Sequence, residues 1–345
     1  MAEIAFNQLK KNHLITGRGA TAIYLSLQNE GMKDRDVIIP GNICYAAVYP
    51  IISSGNDVVF CDVDPLSGNV TLEILKKHQT KKTGAVLVPH MYGNSVDNLD
   101  EIKKWCEENH ILLIEDCASS LGSVNETYGP VGTLGDYVIY SFGYSKIVNL
   151  GKGGVLASDR NLDKAKALLG KMKKYDAETE KMEDDFSAAY RKTRYVSHDY
   201  KSVSALMNDA MFLYAIDDHS SFEKQLNDEE LIAQRIEMHK KNYELYDSLL
   251  NHSLHRYSYN TGSVPWRFSL LLDYAVKRKI IDVLLAEKLP VSDWYPNITE
   301  MFSDEKTALE GVDIMEEKIV NFPLDTDKET IEKICFTVNR VEDID

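Results

Sequence analysis

Short apolar runs alternate with amphipathic stretches from about residue 15 to 160. The segments DVIIP, DVVFCDV, GAVLVPH, ILLIEDC, YVIYSF and GGVLAS are nearly continuous in apolar residues over strand-like lengths, the pattern of strands covered on both faces. Between the second and fourth of them, TLEILKKH and LDEIKKWCEENH repeat their apolar residues at helical spacing. Strands alternating with helices predict βαβ units, hence an α/β fold with a mostly parallel central sheet and helices on both faces. Such a sheet binds ligands at the carboxyl ends of its strands.

From 161 to about 250 the chain is charged and helical in pattern. NLDKAKALLGKMKKYDAETEKMEDDF reads as a solvated helix face. EELIAQRIEMHKKNYELYDSLL predicts a long amphipathic helix joining two lobes. After it, WRFSLLLDY (strand), KRKIIDVLLAEKL (helix), NFPLD and KETIEKICFTVNRV (helix) predict a compact α+β tail. The expected division is a large α/β domain over 1–229 and a smaller C-terminal α+β domain over 230–345. A chain of 345 residues agrees with two lobes, since single cores stop growing beyond about 250–300 residues.

Composition narrows the function. A net charge of −15 lacks the basic footprint that nucleic-acid backbones require. No apolar run approaches the about 20 residues of a membrane span, and MAEIAFNQLKKNHL has no apolar leader core, so a cytoplasmic protein without membrane or nucleic-acid partners is expected. The five scattered cysteines form no C-x-x-C pair and predict neither disulfides nor a zinc site; no metal is expected.

Three features carry candidate chemistry. TGRGATAIYLSL matches G-x-G-x-x-A, which fits either a dinucleotide-binding turn of a Rossmann NAD(P) oxidoreductase or a simpler anion site. In the second reading the N–H groups of Gly19, Ala20 and Thr21 at a helix start bind one phosphate. ILLIEDC runs into Asp116 at a strand end, where the carboxylate either meets a cation or caps a following helix. Thirty residues on, SFGYSK places Lys146 on the loop after another strand. A nucleotide P-loop is excluded, because Gly151-Lys152 would need glycine at 146 and Ser or Thr at 153, where Lys146 and Gly153 stand. A phosphate-binding helix start, a strand-end acid and a later lysine are together what pyridoxal 5'-phosphate requires: donors for its phosphate, a carboxylate for its ring nitrogen and an amine for its aldehyde.

The same segments resemble the DegT/DnrJ/EryC1/StrS family of sugar aminotransferases, which are fold-type I pyridoxal phosphate enzymes. GATAIYLSL is similar to the family's S-G-T-A-A-L stretch, LIEDCASSLGS to E-D-A-A-Q-A-x-G-A, and GTLGDYVIYSFGYSKIVNLGKGGVL to G-x-x-G-D-x-x-x-F-S-F-x-x-x-K-x-x-x-x-G-E-G-G. DVIIPGNICYAAVYPIISSGNDVVFCDVDP and VLVPHMYGNSVDNLDEI resemble the intervening segments.

The resemblance implies Lys146 as Schiff-base lysine and proton shuttle, Asp116 as partner of the pyridine nitrogen, and Ser141, Ala20 and Thr21 as phosphate ligands. It further implies an amino-acid donor such as glutamate, a keto-sugar acceptor that is nucleotide-linked, a role in amino-sugar and surface-polysaccharide synthesis, and a homodimer.

The chain departs from the pattern at four places. The aromatic that stacks on the pyridine falls on Cys44, beside Tyr45; a glutamine becomes Ser119, a shorter donor for the cofactor's ring oxygen; the acid of G-E-G-G becomes Lys152; and the substrate segment N-x-R-M has no copy near KSVSALMNDAMFL. The last leaves open a non-nucleotide ketone as acceptor, or a homologue that binds the cofactor without turnover. Arg267, in PWRF, is either an edge-strand surface residue or a fork for a substrate carboxylate or phosphate.

Overall fold

The computed structural model describes residues 10–303 and 306–342; the first nine residues, which bear on the absence of a leader, lie outside them. Seven strands form the main sheet in the order β1-β9-β8-β5-β4-β2-β3. They are β1 (Asn12–Thr16), β2 (Asp36–Pro40), β3 (Asp57–Cys61), β4 (Thr83–Pro89), β5 (Leu112–Asp116), β8 (Tyr137–Ser141) and β9 (Gly154–Ser158). All neighbours pair in parallel except β9, which is antiparallel to both β8 and β1. A hairpin of β6 (Val124–Asn125) and β7 (Gly129–Pro130) interrupts the segment between β5 and β8.

The six apolar runs are the six strands β2, β3, β4, β5, β8 and β9. Alternate residues supply opposite cores: Val37, Ile39, Ala85 and Leu87 join one cluster, and Ile38, Val86 and Val88 another. That two-sided burial is why these strands read as unbroken apolar runs. The first core takes Ile23 and Leu27 from α1 (Gly19–Glu30) and Val48 and Ile51 from α2 (Tyr45–Ser53). The other takes Leu75 from α3 (Leu72–His78) and Leu99 and Ile102 from α4 (Leu99–Glu108).

Strand β1 is longer than its apolar core of His13-Leu14-Ile15 suggests, because its shape is imposed by five paired positions along β9, from Asn12↔Ser158 to Thr16↔Gly154. Gly154 allows β9 to pass the start of α1: a Cβ there would stand 2.5 Å from the Arg18 carbonyl carbon and 2.7 Å from Gly19 N. Placing the glycine-rich turn after this edge strand also removes the Rossmann reading, in which that turn follows a central strand of a parallel sheet.

The charged middle is a chain of separate helices: α5 (Asp163–Leu169), α6 (Ala177–Lys192), α7 (Tyr200–Ser204), α8 (Asp209–Phe212) and α9 (His219–Leu226). Asp176, Asp199, Asn208 and Asp218 cap the last four through their side chains, so the acids there start helices as well as solvating them. Helix α10 (Glu229–Leu249) runs from the core that holds Ile232 and Ile236 to the one that holds Tyr246.

The buried residues of the core that holds Tyr246 lie within residues 246–341. It is built on β10 (Arg267–Leu271) paired antiparallel with β11 (Ile319–Pro323), under α11 (Tyr274–Ala286) and α13 (Lys328–Glu342). Helix α12 (Glu310–Lys318), not evident in the sequence pattern, instead sends Val312 to the core that holds Ile38 and Met315 to the core that holds Ile232 and Ile236. Among the described residues no helix is long and apolar enough to cross a membrane.

Candidate active site

The carboxyl ends of four parallel strands open into one cavity of about 270 Å³. Strand β5 ends on Asp116, β8 on Ser141 with Lys146 on the loop beyond, β4 on Pro89 before His90, and β2 leads through Asn42 to Cys44 at the cap of α2. The first turn of α1 faces the same space with Gly19 and Ala20. Tyr45, Ser119 and Arg267 complete the set of expected residues that line it.

Asp116 is buried, and its Oδ1 accepts from the Ala118 N–H at 2.9 Å. No helix follows, only turns through residues 117–123, so the helix-cap alternative fails. Its Oδ2 has no protein donor among the described residues. Burial raises its proton affinity, against the opposing pull of the Ala118 N–H, Lys146 and His90. A buried carboxylate with one oxygen unserved at a cavity wall suits a cationic N–H partner.

Lys146 follows Ser145, which takes a left-handed φ of 64°. Its Nζ donates to Ser119 Oγ at 3.4 Å. Burial lowers its pKa, with Cys44 and Asp116 pulling the other way and the charges of Arg267 and Arg18 assisting. An amine so placed is readily neutral, hence nucleophilic and able to accept a proton.

Beneath the floor, Glu115 is fully buried and takes N–H donors from Gly132 (2.6 Å), Leu134 (3.0 Å) and Gly135 (2.7 Å). His90 Nδ1 accepts from Val96 N (3.0 Å), so Nε2 carries the proton and donates to Glu115 at 3.1 Å. Burial would raise the pKa of Glu115, but the His90 hydrogen bond, with those of Gly135 and Gly132, outweighs it and the pKa falls. This network fixes β4, β5 and the segment before β8 beneath Asp116. Cys117 brings a third ligand-type atom within 4.8 Å, yet the Glu115 oxygens already hold four donors.

A model of the DegT/DnrJ/EryC1/StrS aminotransferase family matches residues 3–338. The chain belongs to that family. A GDP-perosamine synthase of Vibrio cholerae is 34% identical over 157 residues, 45% of this chain and 42% of that protein. A dTDP-4-dehydro-2,3,6-trideoxy-D-glucose 4-aminotransferase of Saccharopolyspora spinosa is 39% identical over 148 residues, 42% of this chain and 37% of that one. The matches thus span about two fifths of these relatives' length. Among solved structures, DesI in the presence of its TDP-sugar product superposes with a TM-score of 0.76 at 18% identity, over 98% of this chain and 84% of that one. The putative sugar aminotransferase Spr1654 of Streptococcus pneumoniae, in its PMP form, gives 0.74 at 16%, over 99% and 91%. These likenesses establish the fold, that of the pyridoxal phosphate enzymes of fold type I.

Within this family fold, one expected phosphate ligand has its side chain engaged elsewhere. Thr21 does not line the cavity: its hydroxyl donates to the carbonyls of Phe212 (3.2 Å) and Tyr214 (3.1 Å) and accepts from Tyr214 N (3.2 Å). Its side chain ties α1 to the segment after α8, leaving only backbone to face a phosphate. Tyr45 reaches the cavity, but its ring packs within 4.9–5.0 Å of Phe186 and Tyr190. Lys152, at the acidic position of the family pattern, pairs with Asp217 at 2.8 Å and covers the Tyr175 ring.

Sequence reasoning missed Arg18, His90, Tyr92, Trp266, Trp294 and Tyr295, all in the cavity wall. Arg18 Nη1 meets Glu183 Oε1 at 2.6 Å and the Met211 carbonyl at 3.0 Å. Trp266 and Tyr295 stack at 5.6 Å, and Trp294 stacks on Tyr190 at 5.7 Å. The signals available were His90 directly after a buried strand and the tryptophan beside Arg267; neither indicates which face it turns to the site.

Proposed function

We propose that this chain is a pyridoxal phosphate-dependent aminotransferase that moves an amino group from an amino acid, glutamate in the first instance, to a nucleotide-linked keto-sugar in amino-sugar and surface-polysaccharide synthesis. The observation that carries the reading is the meeting of Lys146, Asp116 and the first turn of α1 in one cavity. Sugar acceptors are supported by the relatives, a GDP-perosamine synthase and a dTDP-sugar 4-aminotransferase by name.

The N–H groups of the first turn of α1, which have no acceptors inside the helix, would hold the cofactor phosphate together with Ser141. Asp116 would hold the ring nitrogen and Lys146 the carbonyl carbon. When bound, the cofactor supplies a carbonyl that takes up amines and a ring that accepts the electrons left by a departing proton. Asp116 serves by keeping a proton on the ring nitrogen, since its own burial makes a cationic partner favourable. Lys146 serves by accepting and returning a proton at Nζ, whose pKa burial lowers. Ser119 Oγ steadies that amine, and the stacked Trp266 and Tyr295 form part of the same cavity wall. One cavity serving donor and acceptor in turn predicts ping-pong kinetics.

The reading includes a cytoplasmic homodimer and a division near residue 229. The 84% exposed Tyr144 at the cavity rim supports a second copy covering the site, and the separate core over 246–341 supports the division.

The test is colour. Protein supplied with pyridoxal phosphate should absorb in the visible and lose that band to borohydride, which should fix the cofactor on Lys146 in a tryptic map; Lys146→Ala should show neither. A colourless wild type indifferent to borohydride would overturn the reading.

A further inference from the structure

Tyr295 stands outside both sheets, yet it is buried in the cavity wall and pinned there. Its ring stacks on Trp266 at 5.6 Å, with 14° between the planes, and its backbone N–H donates to the Tyr92 hydroxyl oxygen at 3.4 Å. Trp266 is fastened in turn: its N–H donates to the Tyr92 carbonyl at 2.8 Å, and its Nε1 donates to the carbonyl of Ser145, the neighbour of Lys146. Gly93 makes this approach possible, because at φ 91° a Cβ there would stand 2.1 Å from the Val264 carbonyl oxygen and 2.8 Å from Trp266 N. A tyrosine so held has one free element, the direction of its hydroxyl.

That hydroxyl approaches the side chain of Ser119. Ser119 Oγ in turn accepts from Lys146 Nζ at 3.4 Å, so two hydroxyls stand side by side at the reactive amine. Burial, with Cys44, Tyr92 and Asp116 close by, raises the Tyr295 pKa against the opposing pull of Ser119. The phenol therefore keeps its proton and can donate it in a hydrogen bond. Ser119, while accepting from the amine, also keeps one proton to give. Two buried donors beside one amine suit an acceptor that arrives next to it.

We infer that Tyr295, acting with Ser119, donates to the ring hydroxyl oxygen of the cofactor and so sets how tightly the linkage at Lys146 holds its proton. The inference rests on the pyridoxal phosphate reading above and deepens it. The cofactor's connectivity places that oxygen: the ring carbon that bears the carbonyl has the oxygen-bearing carbon on one side and the phosphate-bearing arm on the other. The phosphate arm goes to Gly19 and Ser141, which adjoin one another; a Cβ on Gly19 would stand 3.4 Å from Ser141 Cβ. The oxygen then turns from that pair, and the hydroxyls standing at Lys146 are those of Ser119 and, beyond it, Tyr295. Once the linkage loses its proton the oxygen carries negative charge, and a donor to it favours that state.

The experiment uses holoenzyme loaded with pyridoxal phosphate, without substrate, and reads the pH midpoint at which the visible band changes. Tyr295→Phe keeps the ring on Trp266 and removes only the hydroxyl. Its midpoint should lie about 1–2 pH units above that of wild type, the usual worth of a hydrogen bond to a charged group. Ser119→Ala should move the midpoint upward as well. Arg18, Cys44, Tyr92, His90, Asp116 and Arg267 face the same space and are unchanged in both variants, so the shift belongs to the hydroxyls. Urea midpoints of ligand-free Tyr295→Phe should stay close to wild type, since the stacked ring remains. A midpoint that is unchanged or lowered in Tyr295→Phe, or a band that titrates in neither protein, would overturn the inference. A shift in only one of the two variants would overturn it too, for the hydroxyls would not act together. A protein that never colours refutes the cofactor reading instead.

Discussion

Exchanging Asp116 for asparagine perturbs the proposed site with almost no change of shape. The amide keeps an oxygen for the Ala118 N–H, now 2.9 Å from Oδ1, and replaces the charged Oδ2 with a neutral group. What disappears is a charge-assisted hydrogen bond to the ring nitrogen, worth about 1.5–3 kcal/mol. Cofactor affinity should therefore fall about 10–150-fold, while Lys146 and the turn of α1 still hold cofactor supplied in excess. The rate of the donor half-reaction should fall further than affinity, because a neutral amide does not keep the ring nitrogen protonated. Stability moves the other way. In the ligand-free protein burial holds the Asp116 pKa above its ordinary 3.8. Its contribution to stability is then fully present below that ordinary value and is lost as pH rises through the folded pKa. Ligand-free Asp116→Asn should thus be at least as stable as ligand-free wild type at pH 7, and the gap should close in acid. Urea unfolding without cofactor, absorbance titration with it, and stopped-flow mixing with donor measure the three quantities. A donor rate equal to wild type, or a ligand-free variant that is less stable at pH 7, would refute the reasoning.

His239 on α10 holds the Pro265 carbonyl through Nδ1 at 3.0 Å, and its Nε2 is buried without a partner among the described residues. Burial lowers its pKa to about 4, so its contribution is present above pH 6.5 and is lost as pH falls toward 4, a change on the order of 3 kcal/mol. Urea midpoints between pH 7 and 4.5 should show that slope in wild type and a shallower one in His239→Gln; identical slopes would count against it. Gly93→Ala meets backbone at 2.1 Å and a positive φ, and should destabilise by about 2–6 kcal/mol, strain and overpacking each costing about 1–3; a shift under 1 kcal/mol would show that the 264–266 segment yields. Light scattering should return a dimer, and Tyr144→Glu at the rim should weaken it; an active monomer would argue against a shared site.

The chain pattern determined the sheet, because β2, β4, β5 and β8 are covered on both faces and two-sided burial demands unbroken apolar runs. It also singled out Lys146 and Asp116 as candidates, since an acid at a strand end and a lysine on a later loop are local features whose place follows once the sheet is parallel. It did not reveal β1, whose extended shape comes from pairing with β9, a partner well over a hundred residues away. Nor did it reveal where Thr21 points: the hydroxyl's choice between a phosphate and the Phe212 and Tyr214 carbonyls depends on a segment that only folding brings near. Arg267 is the clearest case. Its strand was legible, but its standing at the cavity depends on the glycine at 93 that lets a distant backbone approach and on an indole that reaches the residue before Lys146. Periodicity reports which face of an element is buried, whereas a site assembled from two sheets is set by how those faces are brought together.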